Sequence, residues 1–257
     1  MSTLATIEGE LNHRAVGCGP SERLRLARDL IPGLHVFTTS FGREDQAIAH
    51  VIFTAGLDIN VVTLDTGRLF PETYAVWAET ERRYGRRIAG YYPDQAALED
   101  HVKREGIDGF YQSIASRRRC CGIRKVEPLG RALVGAAAWI AGLRATQSDE
   151  RADIRFAEFD PARDLLKISP LFDWSAVRVA DFITRETIPH NVLHARGFAS
   201  IGCAPCTRAI RPGESERAGR WWWEDEDKKE CGLHVGADGR LQRRASVAPE
   251  RENEVVS

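Results

Sequence analysis

Six cysteines in a chain of 257 residues are its most conspicuous reactive groups. Four of them form two close pairs, Cys120-Cys121 and Cys203-Ala204-Pro205-Cys206, which stand far apart in the chain. Cys203 and Cys206 alone would suit a thioredoxin-like redox pair, but that leaves the first pair unexplained, and no clear strand precedes Ser200-Ile201-Gly202. All four thiolates together would suit a metal centre. A single zinc ion would have to accept both neighbours, Cys120 and Cys121, around one small tetrahedral centre. A cubane iron–sulfur cluster offers each sulfur its own iron, so adjacent ligands are easier to place. The iron–sulfur reading is favoured, and a zinc-binding structural module is the non-enzymatic alternative. Cys18 has no partner in sequence and reads as an incidental thiol. Cys231 differs, because it follows Lys228-Lys229-Glu230 near a polar tail. Cationic neighbours favour the thiolate, and the thiolate is the nucleophile.

Positioning such groups requires a scaffold, and the chain alternates short apolar strands with amphipathic helices. That alternation predicts an α/β fold: a doubly wound, mostly parallel sheet with flanking helices. Strands are expected at His35–Thr39, Ile59–Leu64, Ile88–Tyr92, Ala137–Ala141, Ile154–Phe159 and Leu165–Ser169. Helices are expected at Ser21–Ile31, after Asp45 up to Gly56, at Pro71–Tyr84 with Gly85 beyond its end, and at Ser175–Thr187. The simplest organisation is an N-terminal extension (1–20), one α/β domain (21–212) and a mobile C-terminal segment (213–257) carrying Cys231, with a polar tail after 235. A net charge of −1 gives no sign of nucleic-acid binding. No apolar run approaches the ~20 residues of a membrane span, and the N-terminus lacks the pattern of a secretory signal. A cytoplasmic protein is expected, and structural disulfides are uncommon in that compartment. A homo-oligomer is compatible with the sequence.

Several motifs fall in an ordered series. Ser40-Phe41-Gly42-Arg43-Glu44-Asp45 follows one strand and Leu64-Asp65-Thr66-Gly67 follows the next. Together they resemble the nucleotide site of the adenine nucleotide alpha-hydrolase (PP-loop) group. Cys120-Cys121-Gly122-Ile123-Arg124-Lys125, Gly142-Leu143-Arg144, Ile201-Gly202-Cys203-Ala204-Pro205-Cys206-Thr207-Arg208, Arg217-Ala218-Gly219-Arg220-Trp221-Trp222-Trp223 and Glu230-Cys231-Gly232-Leu233-His234 resemble the assimilatory adenylyl-sulfate reductases of the PAPS reductase family. The resemblance runs from about residue 20 to His234. It implies a 4Fe-4S cluster on Cys120, Cys121, Cys203 and Cys206, sulfonation of Cys231, and thioredoxin or a glutaredoxin as reductant. The implied substrate is adenosine 5′-phosphosulfate; its 3′-phosphorylated analogue, or use of both, is the alternative. Ser-Gly-Gly-x-Asp-Ser, the loop of ATP-splitting members of the group, is absent, since Phe41, Arg43 and Glu44 depart from it.

The residue types suit this chemistry. The nucleoside is expected at the carboxyl ends of the strands, where Ser40, Gly42, Asp65, Thr66 and Gly67 lie. A thiolate attacking an anionic sulfate needs fixed cations, and arginine adds bidentate geometry for oxyanions. The candidates are Lys125, Arg144, Arg217 and Arg220, with Lys125 placed between cluster and substrate by the resemblance. His234 could tune the Cys231 thiolate. The three tryptophans at 221–223 read as packing for the C-terminal segment, or as a docking surface.

Overall fold

Every long strand expected from its apolar run is present, and together they build one sheet of six. The structure, a computed structural model, describes residues 3–148 and 151–224. Cys231, His234 and the polar tail lie outside the described residues. The strands are β1 (Leu34–Thr39), β2 (Asn60–Leu64), β3 (Ala89–Tyr91), β4 (Ala136–Ile140), β5 (Ala157–Asp160) and β6 (Leu165–Ile168). Their spatial order is β3-β2-β1-β4-β6-β5. All neighbouring pairs are parallel except β5 against β6.

Both faces of this sheet are covered, and side-chain alternation shows it. Val61, Phe37, Ala138, Ile140, Leu166 and Ile168 pack into one apolar cluster. Their strand neighbours Val62, Val36, Trp139, Ala141 and Leu165 pack into another. The first cluster is closed by α2 (Pro20–Leu30), α3 (Arg43–Thr54) and α8 (Ala176–Arg185), through residues such as Leu24, Ile48 and Val179. The second is closed by α7 (Glu127–Ala132) through Leu129 and Ala132. α4 (Pro71–Tyr84) has the expected bounds, with Pro71 in its first turn and Gly85 at φ +61° as its left-handed stop.

Four helices have no counterpart in the sequence reading: α1 (Thr3–Arg14), α5 (Gln95–Glu105), α6 (Ile114–Cys121) and α7. α1 is built into the sheet edge. Leu11 is fully buried, and the Asn12 amide both donates to the Ala157 carbonyl (2.8 Å) and accepts from the Ala157 N–H (3.0 Å). Asn12 thus pairs backbone groups of the edge strand β5 that would otherwise be open to another chain. Among the described residues no helix is long and apolar enough to cross a membrane.

The chain steps outward from β1 to β2 and β3, then returns on the other side of β1 as β4. Open α/β sheets bind ligands at such a reversal, beyond the carboxyl ends of the strands. The edge role of Asn12 is testable: Asn12→Ala leaves two backbone groups unpaired and should cost about 1–3 kcal/mol. Denaturant unfolding measures it, and an unchanged midpoint would show that water replaces the amide without loss.

Candidate active site

Beyond the carboxyl ends of β1, β2 and β4 lies a cleft enclosing about 1260 Å³ with its open mouth. Ser40 and Gly42 line it from the loop after β1, Lys125 from the turn after α6, and Arg217 and Arg220 from the C-terminal arm. These five sequence-named residues are brought together.

The loop after β1 is held in an unusual shape. Phe41 is buried with φ +60°, a left-handed conformation that costs a non-glycine residue energy. Its ring stacks on Trp77 at 5.6 Å, and its N–H donates to Thr39 Oγ1 (3.0 Å). Asp45 Oδ2 accepts from the N–H (2.6 Å) and hydroxyl (2.7 Å) of Ser40. Burial pushes the Asp45 carboxyl up from 3.8 to about 6, against the pull of the Ser40 hydrogen bonds. A Cβ on Gly142 would lie 2.2 Å from Asp45 Oδ1, so glycine is what lets the β4 loop approach this carboxylate.

The other named residues stand elsewhere. Asp65, Thr66 and Gly67 do not line the cleft but form a braced turn beside it. Asp65 Oδ1 accepts from the Gly67 N–H and the Tyr74 hydroxyl, both at 2.8 Å. The carbonyl of Thr66 accepts from Arg124 Nη1 (2.6 Å), and its hydroxyl lies 3.3 Å from Cys203 Sγ. Arg144 likewise is not part of the cleft wall. It is fully buried and saturated by carboxylates: Nε donates to Glu44 (2.7 Å), Nη2 to both oxygens of Glu216 (2.8 and 3.0 Å), and Nη1 to Thr146 (2.6 Å). Neutralised this way, it braces the arm carrying Arg217 rather than facing solvent. Burial also raises the Glu216 carboxyl, opposed by Arg144.

Arg220 has a different environment. Its guanidinium lies 4.7 Å above the Trp221 ring, with long contacts (3.4 Å) to Ser200 and the Ile201 carbonyl. Its Nε is buried and has no hydrogen-bond partner among the described residues. A buried arginine donor facing a cleft suits an anionic ligand. His194 also lines the cleft; burial first, then Arg43, lower its pKa to about 4, so it is neutral at pH 7. The sequence reading missed His194 and Glu216 and gave Glu44 no role in the site, since lone polar residues show no pairing until the fold gathers them.

Next to the cleft, sharing Lys125 with it, is a smaller cavity, about 330 Å³ with its mouth, lined by Cys120, Cys121, Cys203 and Cys206. The two cysteine pairs, distant in sequence, meet there. Cys120 and Cys121 end α6 where it widens into a π-helical turn, Gly122–Val126, a feature frequent at functional sites. Cys203 precedes the single turn Ala204–Cys206, and Cys206 ends it. Arg68, Arg117, Arg124 and Lys125 also line the cavity, and Phe110, Trp221 and Trp223 pack against the cysteines. Burial and the neighbouring Cys203 and Cys121 push the Cys206 thiol to about 12. At Cys203 burial also acts upward, but Lys125, the Thr66 hydroxyl, Arg220 and Arg124 together pull it below the ordinary thiol value. Four thiols among four cations are of a type that could hold a metal group as thiolates. No three Cys, His, Asp or Glu converge on a single-ion site among the described residues.

Residues 34–209 match the phosphoadenosine phosphosulfate reductase domain. An adenosine 5′-phosphosulfate reductase from Sinorhizobium fredii is 52% identical over 236 residues, covering 91% of this chain and 94% of its own. One from Allochromatium vinosum is 51% identical over 217 residues, 84% of this chain and 85% of its own. Among solved structures, a phosphoadenylyl-sulfate reductase from Candida auris superposes with a TM-score of 0.67 at 27% identity, over 79% of this chain and 96% of its own. A Candida glabrata FMN adenylyltransferase, 16% identical with a TM-score of 0.52 over 88% of this chain and 80% of its own, shares the fold.

The buried Asp45 makes stability depend on pH. Its folded pKa lies above its unfolded one, so between about pH 4 and pH 6 the folded chain keeps a proton that the unfolded chain has lost, and stability falls as pH rises. Asp45→Asn carries no such proton. Relative to wild type, its unfolding free energy should rise by roughly 2 kcal/mol from pH 4 to pH 6 and level off only above about pH 7, at a total of about 3 kcal/mol. Parallel curves in pH-dependent unfolding would show that Asp45 titrates normally.

Proposed function

The chain belongs to the phosphoadenosine phosphosulfate reductase domain family, and from that premise we propose that it reduces adenosine 5′-phosphosulfate to sulfite and AMP in sulfate assimilation. One observation carries the reading at the level of the site: Lys125 lines both the cleft and the four-cysteine cavity. A nucleotide-sized cleft alone would suit many activities of this fold. The 3′-phosphorylated substrate named for the Candida auris structure is the second reading. Relatives near 50% identity that carry the 5′-phosphosulfate name support the first.

In the proposed mechanism the phosphosulfate lies in the cleft with Arg217, Arg220 and Lys125 around its oxyanions. The Cys231 thiolate attacks the sulfate sulfur. An S–S bond forms with the thiolate electron pair, the S–O bond to phosphate breaks, and AMP leaves with that pair. Charge builds on the leaving phosphate, where preformed cations act most strongly in a site shielded from water. A thiolate of thioredoxin, or of a glutaredoxin, then attacks the Cys231 sulfur and sulfite departs with the S–S electron pair. The partner's second thiol resolves the mixed disulfide, so both electrons come from the dithiol. Cys231 and His234 lie outside the described residues, and the polar tail does too.

The cysteine cavity fits a 4Fe-4S cluster on Cys120, Cys121, Cys203 and Cys206. Iron would keep as thiolates the crowded thiols that burial otherwise protonates, and the flanking cations would offset their charge. When bound, the group would supply a rigid charged wall beside the cleft. Lys125 orients oxyanions on the cleft side of that wall, and Thr66 and Arg124 brace the turn behind it. A cytoplasmic setting, with its reduced thiols, agrees with this chemistry.

Protein purified without oxygen should be brown and carry four irons per chain; stoichiometric zinc without acid-labile sulfide would sink the cluster. Incubated with substrate and no reductant, it should gain one sulfonate, located by peptide mass spectrometry on Cys231. Cys231→Ser should lose adduct and sulfite release while keeping its iron. A serine variant that still turns over would end the proposed mechanism.

A further inference from the structure

Arg220 differs from the other buried arginines in what holds it. Arg23 is tied to Asp173, and Arg144 to Glu44 and Glu216. Arg117 donates to both carboxylate oxygens of Glu224, from Nε to Oε1 (2.9 Å) and from Nη2 to Oε2 (2.6 Å). Among the described residues no carboxylate pairs with Arg220, whose polar contacts there are the long ones to Ser200 and Ile201. Backbone pairing and shape hold it instead. Arg220 forms an antiparallel bridge with Thr207, flanked by the Trp221 N–H on the Cys206 carbonyl (3.1 Å) and the Arg208 N–H on the Gly219 carbonyl (2.9 Å). The Trp221 ring lies 4.7 Å from the Cζ of Arg220, and equally of Arg117. From this ribbon the Arg220 side chain reaches back to Gly202, the residue before Cys203.

The fit is closest there. A Cβ on Gly202 would lie 2.2 Å from Arg220 Nη2, 2.5 Å from its Cζ and 3.0 Å from its Nη1, and no other atom is nearer. Gly202 is not among the residues with positive φ, so its backbone conformation does not itself demand glycine. Its N–H donates to Thr207 Oγ1 (3.2 Å), and the Thr207 hydroxyl donates to the Cys203 carbonyl (3.0 Å), which fixes this stretch of chain. Gly219 makes a useful contrast, because a Cβ there would lie 2.3 Å from the Arg208 carbonyl oxygen. Glycine at 219 makes room for backbone that cannot yield. Glycine at 202 makes room for one guanidinium. An alanine at 202 would drive that group back by more than about 1 Å before ordinary contact at about 3.5 Å is restored.

We propose that Gly202 is a positioning residue for phosphosulfate reduction, its missing side chain being the slot that seats the Arg220 guanidinium in the cleft. The inference rests on the proposed function. An arginine locked by carboxylates is well placed, but its donors are already occupied, as those of Arg144 are. Arg220, seated by a glycine and an aromatic face, is well placed and keeps donors for an oxyanion. A cation of this kind acts most strongly when its position is fixed before the ligand arrives. Misplacement by about 1 Å can cost about 100-fold in rate, which is the scale of the shift a Cβ at 202 would force. Gly202 and Arg220 both line the cleft, and Cys203 lines the cysteine cavity. One short stretch of backbone therefore seats a cleft cation and carries a cavity thiol.

The test is a double-mutant cycle on full-length, iron-loaded protein, reading kcat/KM for sulfite formation from adenosine 5′-phosphosulfate together with iron content. Gly202→Ala should lower kcat/KM roughly 10- to 100-fold at unchanged iron content. Arg220→Ala should lower it by a similar factor or more. The double variant should be no slower than Arg220→Ala alone, because alanine at 202 has nothing to displace once the guanidinium is gone. A residue whose smallness served the backbone would instead multiply the two losses. Multiplied losses would therefore overturn the proposal, as would a wild-type rate in either single variant. Iron loss from either protein carrying Gly202→Ala would overturn it too, since the substitution would then act through the cysteines. If wild-type protein makes no sulfite from this substrate, the proposed function itself falls, whatever the variants do.

Discussion

Lys125 is held where a cleft lined by Arg217 and Arg220 and a cavity of cysteines share a wall, and most of the fold can be traced to that constraint. An ammonium group half removed from water needs negative charge close by. On one side that charge would come from cysteine thiolates, Cys203 above all, whose pKa Lys125 helps to depress. On the other it would come from a bound oxyanion. The placement requires the helix after Cys120 and Cys121 to keep turning, since Lys125 lies only four residues past the pair. The π-helical turn Gly122–Val126 provides this and runs directly into α7. α7 in turn packs on the sheet through Leu129 and Ala132. The cysteine pair and the lysine are thereby fixed to the same layer as the strand ends that form the cleft.

The legibility of the sequence was uneven for physical reasons. β4 is a continuous apolar run, and β1 and β2 are mostly apolar with only His35, Thr38, Thr39, Asn60 and Thr63 among them, because both sheet faces are covered. α4 carries its own start and stop in Pro71 and Gly85. α6, by contrast, is Ile-Ala-Ser-Arg-Arg-Arg-Cys-Cys, with no apolar face to betray it. Its stability comes from the Ser113 cap, from Arg117 reaching Glu224, and from contacts near the cysteines. None of these shows in a local pattern. α1 was hidden for a related reason, since its role is to close a sheet edge through one asparagine.

The candidate site divides along the same line. Residue types named an anion site and a thiol site, and the fold brings Lys125, Arg217 and Arg220 to one cleft and four cysteines to one cavity. Environment was another matter. Arg144 reads as a free cation by its motif, yet it is consumed by Glu44, one hundred positions away, and by Glu216, seventy-two away. Such pairing depends on tertiary geometry alone. It changes the residue's expected part in the site from ligand contact to brace.

Buried charge recurs around this site in places where a more stable protein would avoid it. Asp45 is strained upward by burial, Arg144 is locked between two carboxylates, and Arg117 is paired with Glu224 out of water. Each links segments that are remote in sequence: the β1 loop with itself and β4, the cleft with the C-terminal arm, the cysteine helix with the arm's end. Trp221 shows the same economy in aromatic form. Its φ of +41° is unfavourable for a side-chain-bearing residue, yet its ring lies between the guanidinium groups of Arg117 and Arg220. One residue so held keeps a cleft cation and a cysteine-cavity cation in fixed relation. Hydrophobic packing tolerates repacking by fractions of an ångström, whereas bidentate and stacked guanidinium contacts do not. A reaction that must align a thiolate, a sulfur and a leaving oxygen gains more from that intolerance than from added stability.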